Sequence, residues 1–270
     1  MKLKFILAPA LFLFVTACKK EVATTAVSPF NELASTSLFK ENKTKIFKGP
    51  EVNMGNGKAR SVLILDQMDK PLSLTIEMSN AVLTGLPTER TEYVLPLHLK
   101  AKEATPFNHI AVDWNPHGHE PNNMYGPPHF DFHFYKISLQ ERLAIAPYSG
   151  ASVALFENFP PKGFMPPEYF PTPGGVPQMG KHWADRTSPE FNQQLFTKTF
   201  IYGSYNGQVI FMEPMITLEL IKSRDYSQTN IKLPEFFAPT NTYYPTVYRI
   251  EADAASHFVS LAQFVWQKKL

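Results

Sequence analysis

Residues 129–135 read HFDFHFY, in which phenylalanine alternates with ionisable or hydroxylated side chains. Successive side chains of a β-strand point to opposite faces. The period of two therefore predicts a strand whose phenyl rings share one face, while His129, Asp131 and His133 share the other. This segment predicts both a strand and a place where ionisable groups gather.

The composition favours β structure around this strand. The chain has 22 Phe and 11 Tyr, and its 24 Pro are spread along the sequence, which argues against long helices. We expect a mainly β fold, a single antiparallel β-barrel or sandwich domain over residues 46–270, with a few short helices and a long Pro-rich loop. One helix is expected after Ser138, where Ser138 and Glu141 form a capping box, and another after Ser188, with Pro189 in its first position. Strands are predicted over residues 59–66, 72–78, 92–99, 109–114, 129–135, 195–205, 208–221, 243–252 and 257–266.

A hairpin is predicted at Asn206-Gly207, which lies between two apolar stretches. A two-residue turn places Glu213 opposite Phe200, on an aromatic face where a buried carboxylate needs a partner. Two interpretations stay open. In the first, Glu213 forms an ion pair with Lys198, a diagonal neighbour. In the second, Glu213 binds a metal ion or orients histidines.

Residues 117–135, HGHEPNNMYGPPHFDFHFY, hold half of the eight histidines together with two carboxylates. Imidazole and carboxylate are the usual ligands of transition metals, so this density indicates a metal site. His129 and His133 lie about 13 Å apart along a straight strand. They can share one ion only if the chain bends, for example at Pro127-Pro128. The alternatives are a solvated strand face and loop histidines that bond to the backbone.

Residues 159–181 contain seven prolines and four glycines and are expected to form a long loop. Such loops are usually functional or contribute to an interface. The loop ends before His182, which could close a site, and near Asp185, which could orient an imidazole. Three further histidines are interpreted as structural: His98, His109 and His257.

The N-terminus has the pattern of an exported lipoprotein. Residues 1–17 combine two early lysines with an apolar stretch too short to span a membrane, which requires about 20 residues. They lead to Cys18, the only cysteine, in a bacterial lipobox-like order. We expect a lipoprotein signal peptide, a lipid-anchored flexible tether over residues 18–45, and a location in the bacterial cell envelope, periplasmic or surface-exposed. A stable membrane anchor would come from the N-terminal lipid. The alternative is an ordinary cleaved signal with an incidental thiol.

Charge and motifs narrow the function classes. Two of the 26 basic residues lie in the leader, which leaves 24 against 24 acidic ones. With no basic cluster beyond Lys19-Lys20, nucleic acid is not expected as a partner. The sequence lacks the zinc-protease helix motif, the nucleophile elbow, the P-loop and the dinucleotide fingerprint. Cysteine catalysis is excluded if Cys18 is acylated, whereas a carboxylate pair for glycoside hydrolysis stays open.

Five segments resemble a family of exported bacterial β-rich proteins of unknown function: GHEP (118–121), PHFDFHFY (128–135), MGKHWAD (179–185), SPEF (188–191) and FIYGSYNGQVIFMEPMIT (200–217). The resemblance runs from about Gly55 to the C-terminus. It implies a β-rich fold and assigns no activity. Its motif positions in this sequence are His119, Glu120, His129, Asp131, His133, His182, Asp185 and Glu213. His117 lies outside the pattern.

The resulting hypothesis is a site for a divalent transition metal (zinc, iron, copper or manganese). The expected ligands are His119, His129, His133, His182 and Glu213. Asp131, Glu120 and Asp185 are expected to orient them. The leading function is a metal-dependent hydrolase or lyase, in which the ion activates water or polarises a carbonyl. The alternative is a non-catalytic module that binds metal or a small ligand, or that assembles into a homo-oligomer through its Pro/aromatic loops. An open coordination position would distinguish the two.

Overall fold

The computed structural model describes residues 44–268, except for the side chain of Asn122. The predicted leader, Cys18 and nearly all of the tether lie outside the described residues. Within residues 44–268, no helix is both long enough and apolar enough to cross a bilayer.

Short antiparallel strands make up most of the regular structure. In chain order they are β1 (Lys45–Lys48), β2 (Val52–Met54), β3 (Gly57–Leu65), β4 (Pro71–Ser79), β5 (Thr91–Pro96), β6 (His109–Asn115), β7 (His129–Tyr135), β8 (Tyr169–Pro171), β9 (Lys181–Asp185), β10 (Lys198–Tyr205), β11 (Gln208–Thr217), β12 (Ser227–Asn230), β13 (Thr242–Tyr244), β14 (Val247–Ala252), β15 (Ser256–Ala262) and β16 (Val265–Gln267). The helices are α1 (Leu99–Ala104), α2 (Asn122–Tyr125), α3 (Leu139–Leu143), α4 (Val153–Glu157) and α5 (Leu218–Ser223), with 3₁₀ turns at Asn80–Leu83, Gly150–Ser152 and Pro189–Asn192.

Two seven-stranded sheets form a sandwich. The first sheet has the order β1-β3-β4-β15-β14-β12, with β2 also paired to β3. The second has the order β5-β6-β7-β11-β10-β9-β8, and β13 and β16 form a separate pair. Neither sheet closes on itself, so of the two expected architectures the sandwich is confirmed and the barrel is wrong.

Strand β7 has the predicted bounds and the predicted division of faces. Phe130, Phe132 and Phe134 lie in the main hydrophobic core, which also contains residues of the first sheet. The opposite face is not solvated: His129 is 0% and His133 1% exposed. The alternative of a wet strand face is therefore wrong. The outer face of the second sheet, the face turned away from the first, carries a second buried layer.

The hairpin at Asn206-Gly207 is confirmed, with positive φ angles of 47° and 79°. The predicted pairing register of the two strands is wrong. A β-bulge after Gly203 shifts the pairing by one residue, so Glu213 lies opposite Ile201 and not opposite Phe200. Because side chains alternate between faces, this shift turns Glu213 to the outer face.

Lys198 does not approach Glu213. Its Nζ donates hydrogen bonds to the hydroxyls of Ser227 and Thr229 on β12, the latter at 2.8 Å. The Lys198–Glu213 interpretation is therefore wrong.

The sequence signals at helix starts are confirmed. Ser138 and Glu141 form the expected capping box at α3, and Pro189 begins a 3₁₀ turn. The strand predicted over residues 208–221 ends instead at Thr217, whose hydroxyl accepts a hydrogen bond from Leu220 N at 3.3 Å and caps α5. The Pro-rich loop is mostly irregular but contains β8.

Candidate metal centre

Three adjacent strands place ionisable side chains together on the outer face. In the pairing of β6 with β7, Asp113 lies opposite Asp131 and Asn115 opposite His129. In the pairing of β11 with β7, Met215 lies opposite Asp131, and the same register sets Glu213 beside His133. The period of two thus aligns polar residues of neighbouring strands into a buried polar layer.

A first group consists of His119, His129 and Asp131. Asp131 Oδ2 lies 3.5 Å from His119 Nε2, and Asp131 Oδ1 lies 3.2 Å from His129 Nε2. The two imidazole rings meet edge to face with centroids 4.7 Å apart. His119 comes from the loop after β6 and brings the only partly exposed side chain of this group, 35% exposed.

A second group consists of His133, His182 and Glu213. Glu213 Oε2 lies 3.4 Å from His133 Nε2 and 3.9 Å from His182 Nε2. His182 reaches the group because β9 pairs with β10, where it lies opposite Gly203. The His133 and Glu213 side chains are almost fully buried, at 1% and 2% exposed, whereas that of His182 is 18% exposed.

Three of the four histidines have their Nδ1 atoms close to an oxygen. His119 Nδ1 lies 2.9 Å from the carbonyl oxygen of Glu120, and His129 Nδ1 lies 2.7 Å from that of Pro127. His133 Nδ1 lies 3.3 Å from Asp113 Oδ2. For His119 and His129 this is the usual arrangement of metal-bound imidazoles, which donate one N–H to an oxygen and present the other nitrogen to the ion. The His133–Asp113 contact does not have hydrogen-bond alignment.

The carboxylates are held as well. Asn115 Nδ2 donates a 2.7 Å hydrogen bond to Asp131 Oδ2, and Arg90 Nη2 donates one of 3.1 Å to Asp113 Oδ1. Each contact fixes a carboxylate that in turn faces a histidine. Asp131 and Asp113 are therefore each held in place by a hydrogen bond from a neighbouring side chain.

Burial and neighbouring charges shift the proton affinities of the second group. Burial raises the pKa of Glu213 to about 8, although the charge of His133 opposes this. Burial lowers the pKa of His133, but Glu213 and Asp113 raise it by more, and the result is about 8. The pKa of His182 is lowered to about 3 by burial and by the charge of His133. Groups shifted this far by burial and specific charged partners are typical of functional sites.

In the first group, burial raises the pKa of Asp131, but contact with His119 and His129 lowers it by more and holds it well below its usual range. The pKa of His119 is raised, because Asp131 outweighs the effect of burial. Asp131 is therefore an anion facing two imidazoles.

Five buried atoms of the two groups lack a hydrogen-bond partner among the described residues: His129 Nε2, Asp131 Oδ1, His133 Nδ1, His133 Nε2 and Glu213 Oε2. Their mutual approaches of 3.2 and 3.4 Å do not have hydrogen-bond alignment. A buried polar atom without a partner costs about 1–3 kcal/mol. A cation placed between the facing atoms of a group would satisfy them, and in each group the possible ligand atoms lie within 4.8 Å of one another.

The five expected ligands divide between these two groups and do not surround one point. Asp131, expected only to orient an imidazole, is a potential ligand of the first group. Asp185 lies apart from both, since its carboxylate accepts hydrogen bonds from Lys232 Nζ at 2.6 Å and from Thr187. Glu120 is exposed and reaches the first group through its backbone carbonyl.

Asp113, Asn115 and Arg90 were not expected in the site. The signal for the first two was present, since HIAVDWN at 109–115 alternates in the same way as HFDFHFY. Of the three histidines interpreted as structural, His98 accepts a hydrogen bond from Lys100 N and caps α1. His109 stacks on Tyr135, and His257 lies 3.4 Å from Arg224 Nη1.

The fold and the buried groups define an antiparallel β-sandwich with candidate metal-binding residues on the outer face of one sheet. Over residues 66–114, the chain matches the model of a family described as TTHB210-like, hypothetical protein TTHB210. This stretch covers all of β4 and continues to the penultimate residue of β6, so it includes Asp113 but neither of the two groups. No curated protein and no solved structure matches the chain. The similarity is to an uncharacterised family and assigns no activity.

Proposed function

We propose that the protein binds a divalent transition metal ion through His133, His182 and Glu213 and uses it as a metal-dependent hydrolase or lyase. The observation that carries this proposal is the set of buried nitrogen and oxygen atoms that face one another without hydrogen-bond partners. Polar atoms are rarely left in this state in a folded protein without an ion, a water or a catalytic role.

The composition of the second group favours zinc, iron, copper or manganese over calcium or magnesium. Two imidazoles and one carboxylate are borderline ligands that suit the former ions, whereas the latter prefer oxygen alone. Three protein ligands leave a coordination position open for water or substrate. An ion there would lower the pKa of a bound water or polarise a carbonyl group.

The protein residues around that ion have separate tasks. Asp113 lies 3.3 Å from the His133 ring and raises its pKa, and Arg90 donates a hydrogen bond to Asp113. His182 is the ligand closest to solvent and marks the side from which a substrate would approach. The first group supplies the same chemistry at a neighbouring position and is proposed to hold a second ion.

One observation favours the alternative of a non-catalytic metal-binding module. His133 and Glu213 are almost fully buried, and a substrate would have to reach the ion past His182. In that case the ion would stabilise the outer layer of the sandwich and would not turn over a substrate.

We propose a location in the cell envelope, with the domain anchored to a membrane through lipid on Cys18. Support comes from the basic and apolar leader followed by a single cysteine. Labelling of expressed protein with a radioactive fatty acid tests this, and a Cys18→Ser variant should lose the label. Retention of label by that variant would contradict the anchor.

Elemental analysis of the purified protein tests the metal proposal. The native chain is expected to hold at least one equivalent of metal, and a His133→Ala/His182→Ala variant is expected to hold one equivalent less. A His257→Ala variant serves as the control, because His257 lies on the first sheet. Substoichiometric metal in the native chain, or unchanged metal in the double variant, would contradict the proposal.

A further inference from the structure

A crevice of about 500 Å³ lies at one end of the sandwich, with none of the site histidines in its lining. Its walls come from the β10–β11 hairpin, from the Pro-rich loop and from residues 234–239. Most of the lining is apolar or aromatic, including Pro160, Phe164, Met212 and Phe237. This volume and this lining are typical of sites for small organic ligands.

The loops that form the walls are fixed to each other. Phe236 N donates a 2.9 Å hydrogen bond to the carbonyl oxygen of Gly163. Any Cβ at residue 163 would lie 2.6 Å from the Phe236 ring, so this close approach requires glycine there. Phe237 packs on Tyr244 with ring centroids 4.5 Å apart. The crevice is therefore a built cavity and not a gap between unrelated loops.

Lys136 is the one charged residue among the described residues that line the crevice. Its Nζ donates a 2.6 Å hydrogen bond to the carbonyl oxygen of Ala238 and lies 5.6 Å from the centre of the Tyr244 ring. An ammonium group has three N–H donors. Two of them have no hydrogen-bond acceptor among the described residues.

Other polar groups of the lining are neutral. The Tyr202 hydroxyl donates to the carbonyl oxygen of Lys232 at 2.8 Å, and the Tyr244 hydroxyl donates to that of Pro239 at 2.9 Å. Gln208 adds an exposed amide at the rim. No carboxylate of the described lining balances Lys136. Burial lowers the pKa of Lys136 to about 7, as expected for an ammonium with few polar neighbours.

We propose that this crevice binds a small monocarboxylate with an apolar body, whose carboxylate accepts hydrogen bonds from Lys136 while its body contacts the proline and aromatic walls. One cation in an apolar cavity suits a single negative charge attached to an apolar group. The site is separate from the metal centre and does not depend on bound metal.

Isothermal titration calorimetry on the purified native protein tests the proposal, with two matched pairs of probes: phenylacetate with phenylacetamide, and octanoate with octanamide. The measurement is made at about pH 6, where Lys136 is charged. In at least one pair, the acid is expected to bind about tenfold more tightly than its amide, because only the acid forms charge-assisted hydrogen bonds. Binding of neither acid, or equal binding of acid and amide in both pairs, would overturn the proposal.

A Lys136→Met variant is expected to lose the preference for the acid. The matched control is Lys198→Met, because Lys198 is also a partly buried lysine near a tyrosine ring, 5.9 Å from the centre of Tyr248, but lies outside the crevice. The control should keep the native preference. A preference that survives in Lys136→Met, or that disappears equally in both variants, would overturn the assignment to Lys136.

Discussion

Asp113 Oδ2 lies 3.3 Å from His133 Nδ1, on the side of the imidazole ring that faces away from Glu213. A carboxylate, an imidazole and a second carboxylate thus form a row across β6, β7 and β11. The first carboxylate raises the pKa of the ring, whose other nitrogen faces Glu213 and is available to a metal ion.

Replacement of Asp113 should weaken metal binding without removing a ligand. Asp113→Asn keeps a hydrogen-bond acceptor near His133 but loses the charge, and should lower metal affinity about tenfold. Asp113→Ala loses both and should lower it up to about 100-fold. Competition with a chelator of known affinity measures the change. The control is Asp185→Asn, a carboxylate of the same sheet that contacts Lys232. Equal losses in the Asp113 and Asp185 variants would show a general effect of destabilisation.

The two histidine groups should lose their ions separately. A His119→Ala variant is expected to keep the metal of the second group, because none of the three ligands of that group changes. A His133→Ala variant is expected to lose it. Metal content per chain after dialysis is the measurement. If His119→Ala removed all metal, the two groups would have to be one centre.

Glu213→Gln should separate stability from metal binding. The folded-state pKa of Glu213, about 8, lies above its ordinary value of 4.5, so the folded metal-free protein binds a proton that the unfolded chain releases. Native stability therefore falls as pH rises from about 4.5 to 8. Glutamine at position 213 does not ionise, so the variant keeps its stability as pH rises. At pH 8 its free energy of unfolding should exceed that of the metal-free native protein by about 1–3 kcal/mol, while its metal affinity is low.

Denaturant unfolding of both proteins after chelation, at pH 5 and at pH 8, measures that difference. The gain in the variant should shrink toward pH 5. A variant that is less stable than the native protein at pH 8 would mean that Glu213 is already well paired without metal.

Gly203 links the bulge of the β10–β11 hairpin to the site. A Cβ at this position would lie 2.0 Å from the Phe211 ring. That ring packs against His133 and His182, with centroid distances of 4.9 and 5.4 Å. Gly203→Ala should therefore displace Phe211, cost about 1–3 kcal/mol of stability and weaken metal binding.

A second change should partly reverse this effect. Leucine at position 211 is smaller than phenylalanine, so Gly203→Ala/Phe211→Leu should bind metal more tightly than Gly203→Ala alone. Thermal unfolding and metal titration check both statements. If Gly203→Ala bound metal as the native protein does, the contact between Phe211 and the histidines would not matter for the site.

The sequence predicts β7 well because its alternation has a direct physical meaning. The bounds of the strand and the division of its faces follow from the period of two. The choice between sandwich and barrel does not follow, because it depends on which strands pair across long connections. The orientation of Glu213 was predicted incorrectly, because a bulge adds one residue and reverses every face beyond it.

The candidate site was predictable for residues that share one strand and less so for contacts between distant segments. His129, Asp131 and His133 share a face by strand geometry, and this geometry allowed His129 and His133 to share one ion only if the chain bent before His129. The partners of Asp185 depend on Lys232, which lies 47 residues further along the chain. No local pattern predicts that contact. Asp113 was overlooked although its own strand alternates in the same way as β7.

The most direct test of the central claim is an anomalous difference map from crystals of the native protein, recorded above and below the absorption edge of the metal found by elemental analysis. We expect a peak at coordination distance, about 2.0–2.2 Å, from His133 Nε2, His182 Nε2 and a carboxylate oxygen of Glu213. A well-ordered map with no peak at these three side chains, in crystals grown with that metal, would contradict the account.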